Sequence, residues 1–150
     1  MSRLVSKRLL AIALFCLTGL WTSQALSLGV CTLVASDGTL AASPDFTHLS
    51  SANSGGVHGT VTATVVGLGV TIQLLPPAVF TSAPSGGNTN ISFSTQMTGT
   101  GATLISLTVG TTPISLLAGI TTANIDLTAT KSSGIFPAGS YLADLTVRCQ

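Results

Sequence analysis

Charge is the scarcest commodity in this sequence: its 150 residues carry five Lys and Arg and four acidic groups, and no glutamate at all. Three of the five cations, Arg3, Lys7 and Arg8, stand at the very start, so that beyond them only Lys131 and Arg148 oppose Asp37, Asp45, Asp126 and Asp144. Nucleic acid is recognised through clustered Lys and Arg, and two separated cations exclude that class of partner. Ser, Thr, Asn and Gly are left to solvate the outside, and a surface of near-zero net charge repels its neighbours weakly and favours association. Aromatics are few as well. Phe46, Phe80, Phe93, Phe136 and Tyr141 are dispersed, which excludes a stacked carbohydrate platform. Helical periodicity is nearly absent after the first 27 residues.

Residues 1–27 read as a secretory signal: a basic start, the apolar run from Leu9 to Trp21, and a small-residue cleavage region. That run is about thirteen residues against roughly twenty needed to cross a bilayer, so cleavage is expected rather than anchoring. Ala25-Leu26-Ser27 places the cut after Ser27, and Ser23-Gln24-Ala25 offers one two residues earlier. Bulky Phe15 and Val30 precede Cys16 and Cys31, where a lipoprotein needs a small residue. One domain, residues 28–150, follows with no membrane span and no linker to divide it. Cys16 departs with the leader and leaves Cys31 and Cys149 as an even pair in an oxidising compartment. A disulfide between them is expected provided the first and last strands are neighbours; two free thiols is the alternative.

What the chain does have is period-two alternation. Val61, Ala63 and Val65 alternate with threonines, Val70, Ile72 and Leu74 with Thr71 and Gln73, and Ile91, Phe93 and Met97 with Ser92, Ser94 and Gln96. Ile105, Leu107 and Val109 follow the same rule, as do Ala123, Ile125, Leu127 and Ala129. The segment Ser140 to Gln150 puts Tyr141, Ala143, Leu145, Val147 and Cys149 on one face. Each run predicts a strand with one dry and one wet face. Gly-, Pro- and Ser-rich turn signals separate them, Gly99-Thr100-Gly101 among them as a hairpin turn. The expected fold is an all-β antiparallel sandwich of about seven to nine strands, favoured over a small barrel because most of the runs are short and few large aromatics could fill a barrel's interior.

The search for catalytic chemistry is mostly negative. Paired-carboxylate catalysis needs two acids held together, but the four Asp are scattered, and Asp126 and Asp144 fall on wet faces. No G-x-S-x-G elbow is present, so no enzyme is expected. Asp45, His48 and His58 are the one set that zinc could use, but their spacing matches no strong metal pattern; no metal and no cofactor is expected. Asn90-Ile91-Ser92 matches a glycosylation sequon and lies within an expected strand, which discounts it.

The terminal run Pro137-Ala138-Gly139-Ser140-Tyr141, followed by Ala143-Asp144-Leu145-Thr146-Val147, resembles the ending of spore coat protein U-like secreted pilins and related chaperone-usher fimbrial subunits. Gly29-Val30-Cys31-Thr32-Leu33 is similar to their early cysteine segment. The resemblance implies an incomplete immunoglobulin-like domain completed by a strand donated from a neighbour, in the periplasm or at the surface of a Gram-negative-type bacterium. It implies a pilus subunit or periplasmic chaperone as partner, and Tyr141, Leu145 and Val147 as the groove-lining residues of the terminal strand. The chain departs from that pattern in two respects. The family's second early cysteine is absent, and only three to five residues would precede Cys31 after cleavage, against the roughly ten of a donor strand. A tip or terminal subunit that accepts a strand without offering one fits this asymmetry. The alternative is a self-contained periplasmic or extracellular module that binds a ligand or glycan through Ala42 to Gly59 and Ser82 to Asn88.

Overall fold

The alternating runs become ladders. The computed structural model describes residues 29–150, all of them strand, turn or irregular structure, and the leader assigned to residues 1–27 lies outside them. Ten strands follow in order: β1 (Val30–Ser36), β2 (Ala41–Ala42), β3 (His48–Ser50), β4 (Gly59–Val66), β5 (Val70–Leu75), β6 (Ile91–Gly101), β7 (Ile105–Val109), β8 (Ile114–Leu116), β9 (Gly119–Lys131) and β10 (Thr146–Cys149). Every pairing is antiparallel, so the all-β antiparallel expectation holds. The larger of two sheets curls into a half-barrel.

β9 organises that larger sheet. β6 runs along one edge of it from Thr121 to Lys131, while the other edge is shared by β4, over Gly119 to Ile125, and β3, over Thr128 to Thr130. β1 extends the sheet beyond β4, β2 beyond β3, and β7 beyond β6. The smaller sheet is β10-β5-β8. Between the sheets lie Val61, Ala63 and Val65 of β4, Met97 of β6 and Ile125 of β9, packed with Val70, Ile72 and Leu74 of β5. Fully burying one such aliphatic side chain stabilises by about 1.5–3 kcal/mol. A second cluster gathers Leu49, Phe80, Ala129 and Phe136, with Phe93 and Tyr141 against it. Phe80 is its hub, with the rings of Phe93 and Tyr141 each 4.9 Å away.

The two sheets are joined along one side and parted along the other. On the joined side Gly110 lies between them: the Leu74 amide donates to its carbonyl, and its own amide donates to Thr95 O. A Cβ at Gly110 would stand 2.5 Å from Thr95 Oγ1 and 2.6 Å from Leu74 Cδ1, so only glycine permits this approach. Gln73 Nε2 also donates to Thr111 O. On the parted side, Cys31 of β1 and Cys149 of β10 form a disulfide with Cα atoms 6.2 Å apart. The first and last strands are therefore neighbours at that point.

Three local expectations are corrected. Gly99-Thr100-Gly101 is not the turn but the end of an eleven-residue β6; the chain leaves the strand at Gly101, whose φ of 123° suits glycine. The terminal ladder begins at Thr146 rather than Ser140, with only an isolated bridge from Leu142 to Ser82 before it. Asn90 lies in the turn before β6, exposed and at φ 54°, not within the strand.

Candidate functional site

Along the parted side runs a groove of about 1020 Å³, bounded by Ala35 to Leu40 on one lip and Ser140 to Val147 on the other. Its origin is visible strand by strand. β4 and β9 have neighbours on both edges, and their inward residues Val61, Ala63, Ala123 and Ile125 are buried. β1 pairs only with β4, and β10 only with β5, among the described residues. Correspondingly, the inward residues of these two strands are not sealed: Leu33, Leu145, Val147, Tyr141 and Ala143 are half-buried, and Ala35 is exposed. The alternation that predicted a buried face thus continues on both lips with the covering layer missing.

The groove changes character along its length. Toward the disulfide its lining is aliphatic, with Val61 and Ile125; at the far end Leu40, Phe46, Leu49, Phe136 and Tyr141 make it more aromatic. Tyr141 turns its hydroxyl to donate to Pro137 O at 2.6 Å, and burial raises its pKa. That bond fixes the Pro137-Ala138-Gly139 corner, after which the chain enters the terminal segment. Phe46 is held at φ 58° and stands 53% exposed. A bulky side chain in the left-handed region costs about 1–3 kcal/mol and persists only where surroundings enforce it. Here the Phe46 amide donates to Ser43 O and its carbonyl accepts from Phe136 N–H. Ser43 and Thr47 both donate to the neighbouring Asp45 carboxylate, which holds its pKa down at about 2. Sequence reasoning missed Phe46; no periodicity marks a residue whose importance lies in a strained turn.

Tyr141, Leu145 and Val147 all line the groove. Asp45, His48 and His58 do not converge. His48 Nδ1 and Asp45 share Thr47 Oγ1 as partner, while His58 Nδ1 pairs with Asp126 Oδ1 at 2.6 Å. Among the described residues no group of three His, Cys, Asp or Glu side chains is placed to hold a metal. Asp126 is more than solvated surface, since Ser51 Oγ also donates to Oδ1, at 2.7 Å. Serine, aspartate and histidine meet here in the wrong order for nucleophilic catalysis. The carboxylate stands between hydroxyl and imidazole, whereas activation needs the imidazole on the hydroxyl. Asp144 accepts from Thr81 Oγ1. The suggested binding loops divide: Phe46, Leu49 and Ser51 reach the groove, whereas Gly86 of the second loop, with Thr89 just beyond it, is tied down by Lys131, whose Nζ donates to both carbonyls.

Comparisons of the chain with protein-family models, with curated proteins and with solved structures found no match.

Proposed function

We propose that this domain is a structural or adhesive subunit that accepts one extended segment of another polypeptide into the groove between β1 and the terminal strand. The carrying observation is the groove that opens between the end of β1 with its following segment and the run that leads into β10, two strands that each pair with only one other strand among the described residues. Unpaired N–H and C=O groups on an edge are a template for a further strand, and strand addition gains affinity from the main chain and selectivity from pockets for alternate side chains. Ala35, Leu145, Val147 and Tyr141 would supply those pockets. With the strand in place the parted side closes and the fold becomes a completed immunoglobulin-like sandwich. This is the architecture that the resemblance to spore coat protein U-like and fimbrial subunits implies. The domain then belongs to a secreted, fimbria-like assembly of a Gram-negative-type envelope, with a subunit or periplasmic chaperone as the donor.

A synthetic peptide of alternating apolar and polar residues tests this by hydrogen exchange. The free protein should show fast exchange on one edge of β1 and across Ala143 to Leu145, and the peptide should slow both together. Full protection of both segments in the free monomer, or no change with saturating peptide, refutes strand acceptance.

A second reading has its own support. The groove's volume of about 1020 Å³ stands at the upper limit of the roughly 300–1,000 Å³ of small-molecule sites, and one end of it is aromatic. A self-contained binding module would take an apolar ligand there, and saturable binding that leaves the β1 edge exchanging would favour it.

A further inference from the structure

Both lips of the groove turn backbone groups toward it. Gln150 exchanges both of its backbone hydrogen bonds with Thr71, and Leu142 both of its own with Ser82. In an antiparallel ladder such residues alternate with ones whose N–H and C=O point to the other edge, so Ala143, Leu145 and Val147 direct theirs to the groove side. On the opposite lip Thr39 exchanges both bonds with Val57, in the same register that sets Ser36 opposite Thr60 and Val34 opposite Thr62. Val34 and Ser36 therefore direct their backbone groups away from β4. An extended polypeptide meets two such rows at once, whereas an apolar small molecule leaves both unmet.

At the aromatic end Phe46 stands apart from the other rings. Those are spent on one another: Phe80 packs against Phe93, Phe136 and Tyr141, and Phe136 against Tyr141. Among the described residues Phe46 enters no such pair, and 53% of it is exposed. The local backbone does not ask for a phenylalanine either. Phe46 N–H donates to Ser43 O and Ser43 N–H donates to His48 O, closing a tight turn at the tip of the β2–β3 hairpin whose last residue is left-handed. Hairpins of this kind ordinarily give that position to glycine, and asparagine or aspartate tolerates it next best. A phenylalanine there weakens the turn and buries little of its ring in return. Strain of that kind gathers at ligand clamps, where the binding site uses it.

We propose that Phe46 is the specificity-determining residue of the groove: its ring, held by the strained turn, packs against a large apolar side chain, aromatic above all, carried by the incoming strand. The inference rests on the reading of the groove as a strand acceptor and adds which strands it takes. Leu40, Leu49, Phe136 and Tyr141 line the same end. A ring that enters there gains edge-to-face contact as well as burial, whereas a small side chain leaves Phe46 exposed.

Peptide affinities of native and variant protein test it. The peptides alternate valine and serine between terminal lysines, and in each member of the set one valine, at a different position, becomes phenylalanine. The native protein should bind one member about tenfold more tightly than the all-valine peptide. Phe46→Gly and Phe46→Asn should lose that preference while still binding the all-valine peptide, and their urea midpoints should equal or exceed the native one because the strain is gone. Val79→Ser removes a side chain that is equally exposed, at 53%, but does not line the groove, and it should keep the preference. An undiminished preference in both Phe46 variants, or an equal loss of affinity for every peptide, overturns the proposal. So does a lower midpoint in both variants, which makes the ring a structural member of the turn. If the native protein binds every member equally, Phe46 is no selector and strand acceptance stands; if it binds none, the groove reading falls and the proposal with it. Phe46-dependent binding of an apolar dye without any peptide binding gives the residue to the small-ligand reading and overturns both.

Discussion

Replacing Cys31 and Cys149 together by alanine removes a crosslink between residues 118 apart in sequence. Closing a loop of that size in the unfolded chain corresponds to about 4.8 kcal/mol at 25 °C on the chain-entropy account. Set against a domain stability of about 5–15 kcal/mol, the loss takes a third or more of the total. With a urea slope of about 1.5 kcal/mol per molar, the unfolding midpoint should fall by about 3 M. The folded state contributes a second, local readout. β10 pairs with β5 over four residues, Thr146 to Cys149, and the disulfide is its covalent tie to the larger sheet. The amides of that strand should therefore exchange faster in the variant than the reduced global stability alone requires. The β4–β9 ladder, bonded on both sides, should exchange at the new global limit. Equilibrium urea unfolding by fluorescence or far-ultraviolet signal, combined with native-state hydrogen exchange, measures both. A midpoint shift below about 0.7 M with an unchanged slope, or about 1 kcal/mol, would refute the argument that the crosslink acts by restricting the unfolded chain.

Three further outcomes follow from particular side chains. The Thr95 hydroxyl is buried with no hydrogen-bond partner, so Thr95→Val should leave stability unchanged or raise it by about 1 kcal/mol in urea unfolding. Lys131→Met strips two charge-assisted bonds from the carbonyls of Gly86 and Thr89 and should cost about 1.5–3 kcal/mol, with faster amide exchange concentrated between Ser85 and Asn90. The Asp45 carboxyl, held at about 2 first by Ser43 and then by Thr47, is depressed below its unfolded value. Whatever stability it lends is present above the ordinary carboxylate range and is lost as pH falls through about 2. A carbon-detected titration should find that value in the native protein and a rise toward the ordinary range in Ser43→Ala.

Much of the fold was legible because its strands obey one rule for long enough to be read. β4, β5 and β9 alternate over at least six residues each, and their inward sets are the ones found buried. β2, β3 and β8, at two or three residues, are too short for any period to register. Gly99 and Gly101 misled because glycine marks both turns and close approach within a strand; here it serves β6 and its end. The terminal segment alternates as expected from Ser140 onward, but its ladder starts only at Thr146. Exposure alternates from Tyr141 to Gln150, but pairing depends on where β5 ends, which no local pattern records. The same reason hid the groove. Tyr141, Leu145 and Val147 could be named as inward-facing, but their incomplete cover follows from which edges lack a neighbour, a property of distant segments. The Ser51–Asp126–His58 cluster likewise assembles residues from separate stretches.

The position of β9 has a consequence for how such a chain comes to be folded at all. β3, β4 and β6 all find their pairing partner in a strand that begins at Gly119, with Ser50 and Thr128 bonded across 78 residues and Thr62 and Thr122 across 60. High contact order of this kind slows folding, because loop closure must precede any gain from contact. During synthesis, the apolar faces of β4, β5 and β6 emerge before β9, the strand that pairs with β4 and β6. Between the appearance of Val61 and that of Leu127, β4 has only β1 to pair with and β6 only β7, and their other edges can misalign or be held by something else.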